Sequence, residues 1–278
     1  METRASYRKR KKMKKVYKII LIICIIVFII SAIFIAKWII DNNNIKDIDK
    51  NLKEDNVASE KKADKDKTEN VNPPENPEDD YWYYITMDML SADFNELKKK
   101  NPDTVAFVKV NGTNVNYPVV QTDDNSYYLN HAFDGTKNSA GWVFADYRSD
   151  LTNFGYNTII YGHSRYNQTM FGSLKKVLNK SWYSNKDNHI IKLSTPSHNT
   201  LWQIFSIYTI PAESYYITTQ FDTNSYNTFL STIKGRSQID FSAGVNTNDK
   251  VLTLSTCNND AGTERLVIHA KLIKKENR

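Results

Sequence analysis

One apolar run constrains this 278-residue chain more than any other feature. Ile19 to Ala36 is eighteen residues with Ser31 as the single polar member, and Lys37-Trp38-Ile39-Ile40 extends it to twenty-two. About 20 apolar residues, each rising about 1.5 Å in a helix, cross a hydrocarbon core of roughly 30 Å. Residues 19–40 therefore read as one transmembrane helix, in which Lys37 can snorkel and Trp38 suits the headgroup level. A cleaved signal peptide has an apolar core of about 7–15 residues followed by small residues. Here the run is longer and ends in Lys-Trp-Ile-Ile-Asp-Asn-Asn, which favours an uncleaved anchor. Cys24, inside the run, reads as a small apolar residue.

Charge assigns the two sides. Residues 1–18 hold nine Lys/Arg against Glu2, a net of +8, while the whole chain is +6, so everything beyond residue 18 sums to −2. The basicity belongs to a tail and gives no reason to expect a nucleic-acid-binding surface. Positive charge ahead of the span puts the N-terminus in the cytoplasm and the rest outside the cell. The expected organisation is a basic cytoplasmic tail over 1–18, the span over 19–40, a disordered stalk over 41–80 and an extracellular domain over 81–278. The stalk expectation rests on thirteen Asp/Glu, seven Lys, several Asn, Pro73-Pro74 and Pro77, with few large apolar residues to offset chain entropy.

About 200 residues follow Tyr81, enough for one domain with a sizeable core. Met87, Leu90, Phe94 and Leu97 recur at helical spacing and predict a short lead helix ending near Lys98-Lys99-Lys100-Asn101-Pro102. Strand-like runs follow at 105–110, 116–120, 142–144, 158–161, 190–193 and 202–208, with Asn111-Gly112 as a turn signal. Asp222-Thr223 reads as the cap of a helix carrying Tyr226, Phe229, Leu230 and Ile233 and stopping at Gly235. Two final runs, Val251-Leu-Thr-Leu-Ser-Thr-Cys257 and Arg265-Leu-Val-Ile-His-Ala-Lys-Leu272, complete the chain. Many closely spaced strands with helices confined to a few places predict a mainly β, barrel-like α+β fold.

Cys257 is the only cysteine outside the span, so within this chain it has no exported disulfide partner. Such a residue is either an inert core filler or a reactive thiol. Antiparallel pairing of the last two runs through the loop 258–264 brings Cys257 beside Arg265, a fixed positive charge that favours the thiolate. The polar neighbours Ser255, Thr256 and Asn258 also weaken the packing reading. A nucleophilic thiol needs a proton carrier. His131, His189 and His198 lie in polar, turn-like settings and read as solvated, while His269 is mid-strand and reads as packed or hydrogen-bonded. His163 leaves a strand end after Tyr161-Gly162 and is the candidate, with a purely structural role still open. No CxxC, HExxH or phosphate-binding glycine loop is present.

Thr253-Leu-Ser-Thr-Cys257 with Arg265 eight residues on, and Tyr161-Gly-His163 followed by Met170-Phe-Gly172, resemble a sortase. Asn116-Tyr-Pro-Val-Val-Gln121, Asp124-Asn125 with Tyr128-Leu129, and Phe144-Ala-Asp-Tyr-Arg148 add to the likeness, which covers residues 85–273. The helical insertion at 222–236, just before the cysteine run, favours class B. The resemblance implies an eight-stranded barrel with an N-terminal helix. It also implies a membrane-anchored transpeptidase that cuts a C-terminal sorting pentapeptide of an exported protein and joins it to a peptidoglycan precursor or cross-bridge amine. In that scheme Cys257 forms a thioacyl intermediate, Arg265 holds the substrate or oxyanion, and His163 moves the proton. By position, Asn125, Leu129, Tyr216, Ile217, Ser255 and Thr256 resemble residues lining the peptide groove. No cofactor or metal is expected; the partners are exported sorting-signal proteins, the wall amine and membrane lipid. Two other classes stay open: a tethered cysteine peptidase that only hydrolyses, and a non-catalytic surface-binding module.

Overall fold

The computed structural model describes residues 4–257 and 263–278, with the side chains of residues 4–9, 11 and 257 outside that description. The described chain forms two units, one up to Asp47 and one over Ile48–Arg278. The first is part of a single long helix, α1 (Arg4–Glu54). Its apolar side chains are exposed from Ile19 to Ile40, and it is the one helix among the described residues long and apolar enough to cross a membrane.

The second unit holds the strands β1 (Ala58–Lys61), β2 (Thr68–Asn70), β3 (Met89–Ala92), β4 (Thr104–Val110), β5 (Asn116–Val120) and β6 (Phe144–Ala145). It continues with β7 (Asn157–Tyr161), β8 (Ile190–Ser194), β9 (His198–Pro211), β10 (Val251–Cys257) and β11 (Glu264–Asn277). Among the described residues, eight of these close a barrel in the order β10-β7-β6-β5-β4-β8-β9-β11, with β11 returning to pair with β10. Closure leaves no free edge around the ring. Each strand alternates or runs apolar, and Val108, Ile159, Leu193, Ile207, Leu254 and Ile268 are all fully buried. Register shifts in the β9–β11 pair, after His269 and after Leu272, bend these two 14-residue strands around the barrel.

The short helices are α2 (Tyr81–Tyr84), α3 (Phe94–Lys100), α4 (Lys180–Tyr183) and α5 (Thr223–Gly235). At α5 the Asp222 side chain accepts from Ser225 N at 2.8 Å while Ser225 Oγ accepts from Asp222 N at 3.0 Å, a reciprocal cap. Tyr226, Phe229, Leu230 and Ile233 form its buried face, as their spacing predicts.

Two expectations differ from the structure. The lead helix does not run from Met87: residues 89–92 form β3, and α3 starts only after Asp93, whose side chain accepts from Asn95 N and Glu96 N. The apolar residues at helical spacing serve a strand because β3 has a partner, β1, that composition conceals. Residues 41–80, expected as a disordered stalk, carry the end of α1 and two strands that pair with β3 and β11. A charge-rich sequence orders here because its backbone finds strands to pair with and its charges find partners.

Candidate active site

The β10–β11 hairpin places the backbone of Cys257 directly opposite Arg265. The Cys257 side chain lies outside the described residues. On its other side β10 pairs in parallel with β7, with Ser255 opposite Tyr161, and Gly162 N donates to Ser255 O at 3.4 Å. Two residues beyond this pair stand His163, just past the end of β7, and Cys257, the last residue of β10. Parallel neighbours end at the same side, so both leave the barrel at one rim. A groove of about 800 Å³ opens there. His163, Arg265 and all six residues expected by position to line a peptide groove, Asn125, Leu129, Tyr216, Ile217, Ser255 and Thr256, border it.

His163 is half-buried, and its Nε2 stands 2.8 Å from the Leu129 carbonyl oxygen. A carbonyl only accepts, so Nε2 carries a proton, and in the neutral ring Nδ1 is bare. Gly141 makes this approach possible. It has φ +58°, and a β-carbon there would stand 2.5 Å from the Tyr128 carbonyl oxygen, 2.8 Å from that of Leu129 and 2.9 Å from His163 Cδ2. Only glycine fits both the backbone conformation and the space.

The opposite wall is the segment 212–218 between β9 and α5. The barrel holds it by its backbone. Asn157 Nδ2 donates to Tyr216 O at 3.1 Å and to Thr218 O at 2.9 Å, and Arg148 Nη2 donates to Ile217 O at 3.1 Å. Both Asn157 amide hydrogens are thereby used, so its Oδ1 accepts from Thr253 Oγ1 at 2.6 Å. Thr253 has no second proton and must accept from His269 Nδ1 at 2.8 Å. His269 Nε2 then accepts from Tyr208 OH at 2.8 Å, and the Tyr208 oxygen accepts from Tyr215 OH at 3.0 Å. This directed chain runs through the barrel and links the Tyr216 and Thr218 carbonyls to the neighbouring Tyr215 hydroxyl. It requires neutral His269, and full burial pushes that pKa down to about 3. Tyr215 is further held by the Arg236 guanidinium, 4.2 Å from its ring centroid.

On the floor, Ser255 Oγ and Tyr216 OH are 3.0 Å apart. Thr256 Oγ1 is buried with no hydrogen-bond partner among the described residues. The remaining histidines stand away from the groove: His131 stacks on Tyr127 at 3.9 Å, and His198 lies 6.2 Å from the Phe154 ring. His189 differs from its expected solvated setting. It is half-buried between Tyr84 OH and Tyr183 O, and burial lowers its pKa. Among the described residues no cluster of His, Cys, Asp or Glu is arranged to hold a metal ion.

Sequence reasoning missed Gly141 and Asn157, and met Asp146 only inside the run Phe144–Arg148 without a role for it. Gly141 carried a turn-type signal that nothing tied to His163, and Asn157 is a polar residue whose side-chain reach becomes visible only in the closed barrel.

A sortase domain matches residues 108–273. Sortase B of Staphylococcus aureus is 37% identical over 184 residues, covering 65% of this chain and 75% of the relative. Sortase B of Listeria monocytogenes is 33% identical over 186 residues, covering 66% and 75%. The solved Staphylococcus aureus sortase B–substrate complex superposes with a TM-score of 0.61 at 37% identity, covering 66% of this chain and 85% of that one. The chain belongs to the sortase family of cysteine transpeptidases. Its relatives and its barrel with a helix before the cysteine strand make it a class B sortase.

Proposed function

We propose that the chain is a membrane-anchored sortase that cleaves a C-terminal sorting pentapeptide of exported proteins and transfers the new acyl end to a cell-wall peptide amine. The observation that carries this reading is the register: the Cys257 backbone stands opposite Arg265, His163 leaves the parallel neighbouring strand, and His163 and Arg265 border one groove. Cys257 is the nucleophile. Nδ1 of His163 takes the Cys257 thiol proton, the sulfur bonds to the scissile carbonyl carbon as the C–N bond breaks, and Nδ1 passes that proton to the leaving amine. The incoming amine then gives a proton to Nδ1 as its nitrogen displaces the sulfur, and Nδ1 returns that proton to the thiolate. Arg265 supplies N–H donors to the oxyanion in both tetrahedral steps.

Asn125, Leu129, Tyr216, Ile217, Ser255 and Thr256 bind the peptide in this reading. Leu129, Ile217 and Tyr216 offer apolar contact, and the unpartnered Thr256 hydroxyl offers a hydrogen bond to peptide backbone. The anchor is the span over 19–40, with the basic tail in the cytoplasm and the barrel outside, supported by the apolar helix and its flanking charges. The stalk of the sequence reading becomes a shorter connection, since residues from 58 onward contribute strands.

The test uses the full chain in detergent with a library of quenched pentapeptides, with and without an added wall-peptide amine. Cleavage with amine-dependent ligation product supports transpeptidation. Cleavage that gives only the free acid, whatever the amine, supports a hydrolase. An unreactive Cys257 towards iodoacetamide and no cleavage return the chain to a binding module.

A further inference from the structure

The run Phe144-Ala-Asp-Tyr-Arg148 enters no step of the reaction above, yet its aspartate is the most heavily bonded side chain behind the groove. Asp146 follows β6 and is fully buried. Its Oδ1 accepts from Arg148 N at 3.0 Å and Arg148 Nε at 2.8 Å. Its Oδ2 accepts from Arg148 Nη2 at 2.7 Å, Asn125 Nδ2 at 3.0 Å and Tyr161 OH at 2.9 Å. A buried carboxylate is costly unless donors surround it. Burial would raise the Asp146 pKa, but the Arg148 and Tyr161 hydrogen bonds keep it below the ordinary carboxylate value.

The donors are what make this arrangement informative. Asn125 and Tyr161 border the groove, and the same Arg148 Nη2 also donates to the carbonyl of Ile217 on the opposite wall. Asn125 is fixed in rotation as well, because its Oδ1 accepts from Tyr147 N at 3.0 Å. One buried charge thus ties the Asn125 loop, the end of β7 and the wall before α5. We infer that Asp146 is a positioning residue of the peptide groove: its carboxylate orients Asn125 and Tyr161 directly and Ile217 through Arg148, so that it sets groove width. This rests on the reading of the groove as the peptide site.

Asp146→Asn keeps the size but replaces one acceptor oxygen with a donor. In either amide orientation that donor meets donors, Arg148 in one, and Asn125 with Arg148 in the other. The experiment compares the full-length wild type and Asp146→Asn in detergent, by amide exchange over 214–219 and by turnover of the pentapeptide that the wild type cleaves fastest from a quenched library. The positioning role predicts KM up by ~10–100-fold with kcat within about threefold. It also predicts faster exchange over 214–219 with the cooperative thermal transition retained. Unchanged exchange and unchanged KM overturn it; so does a fall in kcat alone. If Asp146→Asn does not fold, Arg148→Lys takes its place, since an ammonium cannot span Asp146 and Ile217 together; unchanged exchange in that variant overturns the inference. The exchange arm needs no turnover, so a wild type that cleaves no pentapeptide retracts the peptide-site reading while the positioning of the wall is still decided.

Discussion

Lys192 on β8, only 3% exposed, finds its ion-pair partner in Glu60 on β1. Glu60 also pairs with Lys109 on β4. Partial burial pushes the Glu60 carboxyl up, but hydrogen bonds from Lys109 and Lys192 bring it below the ordinary value, so it is charged at neutral pH. Further along, Asp64 N donates to Glu276, itself buried and bonded to Asn199. Residues 58–70 are therefore part of the folded barrel unit.

Removing Glu60 strands a buried ammonium. Glu60→Gln should cost about 2 kcal/mol, less than for a fully buried pair because Glu60 keeps some solvent contact, and Lys192→Met in that background should recover part of it. A chain starting at residue 81 should be less stable than one starting at Ile48 by at least that amount. Urea midpoints measure both; equal midpoints for the two chain starts would mean that β1 and β2 add nothing.

Acid should weaken the fold through His269. Its folded pKa is about 3 against about 6.5 in an unfolded chain. Between these values the unfolded chain binds a proton that the folded chain refuses, so stability rises with pH there. The contribution is complete above pH ~6.5 and is lost as pH falls towards 3, on the order of 3 kcal/mol by pH 4. Urea midpoints from pH 4 to 7 should show this slope in wild type and a flatter one in His269→Gln. Parallel slopes would contradict it.

At the reaction centre, neutral His163 should carry its proton on Nε2, visible in its ring nitrogen-15 shifts, because that nitrogen donates to Leu129 O. His163→Ala should lower kcat/KM by ~10²–10⁴-fold. Arg265→Lys should lose ~10²-fold, since an ammonium cannot copy a planar fork of donors. Near-normal turnover in either variant removes the assigned role.

Gly141→Ala tests the space beneath the imidazole. The added carbon meets two backbone carbonyls and the ring at a left-handed φ, so the Leu129–His163 bond should break while the barrel stays folded. We expect kcat/KM down about tenfold or more, with altered nitrogen-15 shifts for His163. An unchanged spectrum would show that the loop relaxes instead.

Much of this was readable from residue order alone. Alternation and turn residues mark the barrel strands to within a few positions, and the Cys257–Arg265 hairpin follows from two strand-like runs and one polar loop. The parallel pairing with β7 does not: it joins residues almost a hundred positions apart, and no local pattern announces it. The same holds for Asp146, Asn157 and Gly141, whose importance lies in what the closed barrel brings to them. Composition misled at 58–70, where charged residues suggest a solvated tether although Glu60 pairs with Lys192 and Lys109, and Glu69 with Lys275, on the barrel.

The clamps on the 212–218 segment mostly grip main-chain oxygens, those of residues 216, 217 and 218, and leave the Ile217 side chain out of the fastening. Shape and chemistry are thereby separated at this border. If the groove holds the peptide as proposed, exchanging residue 217 in a library should retune which peptides are chosen, while the scaffold that presents it stays where it is.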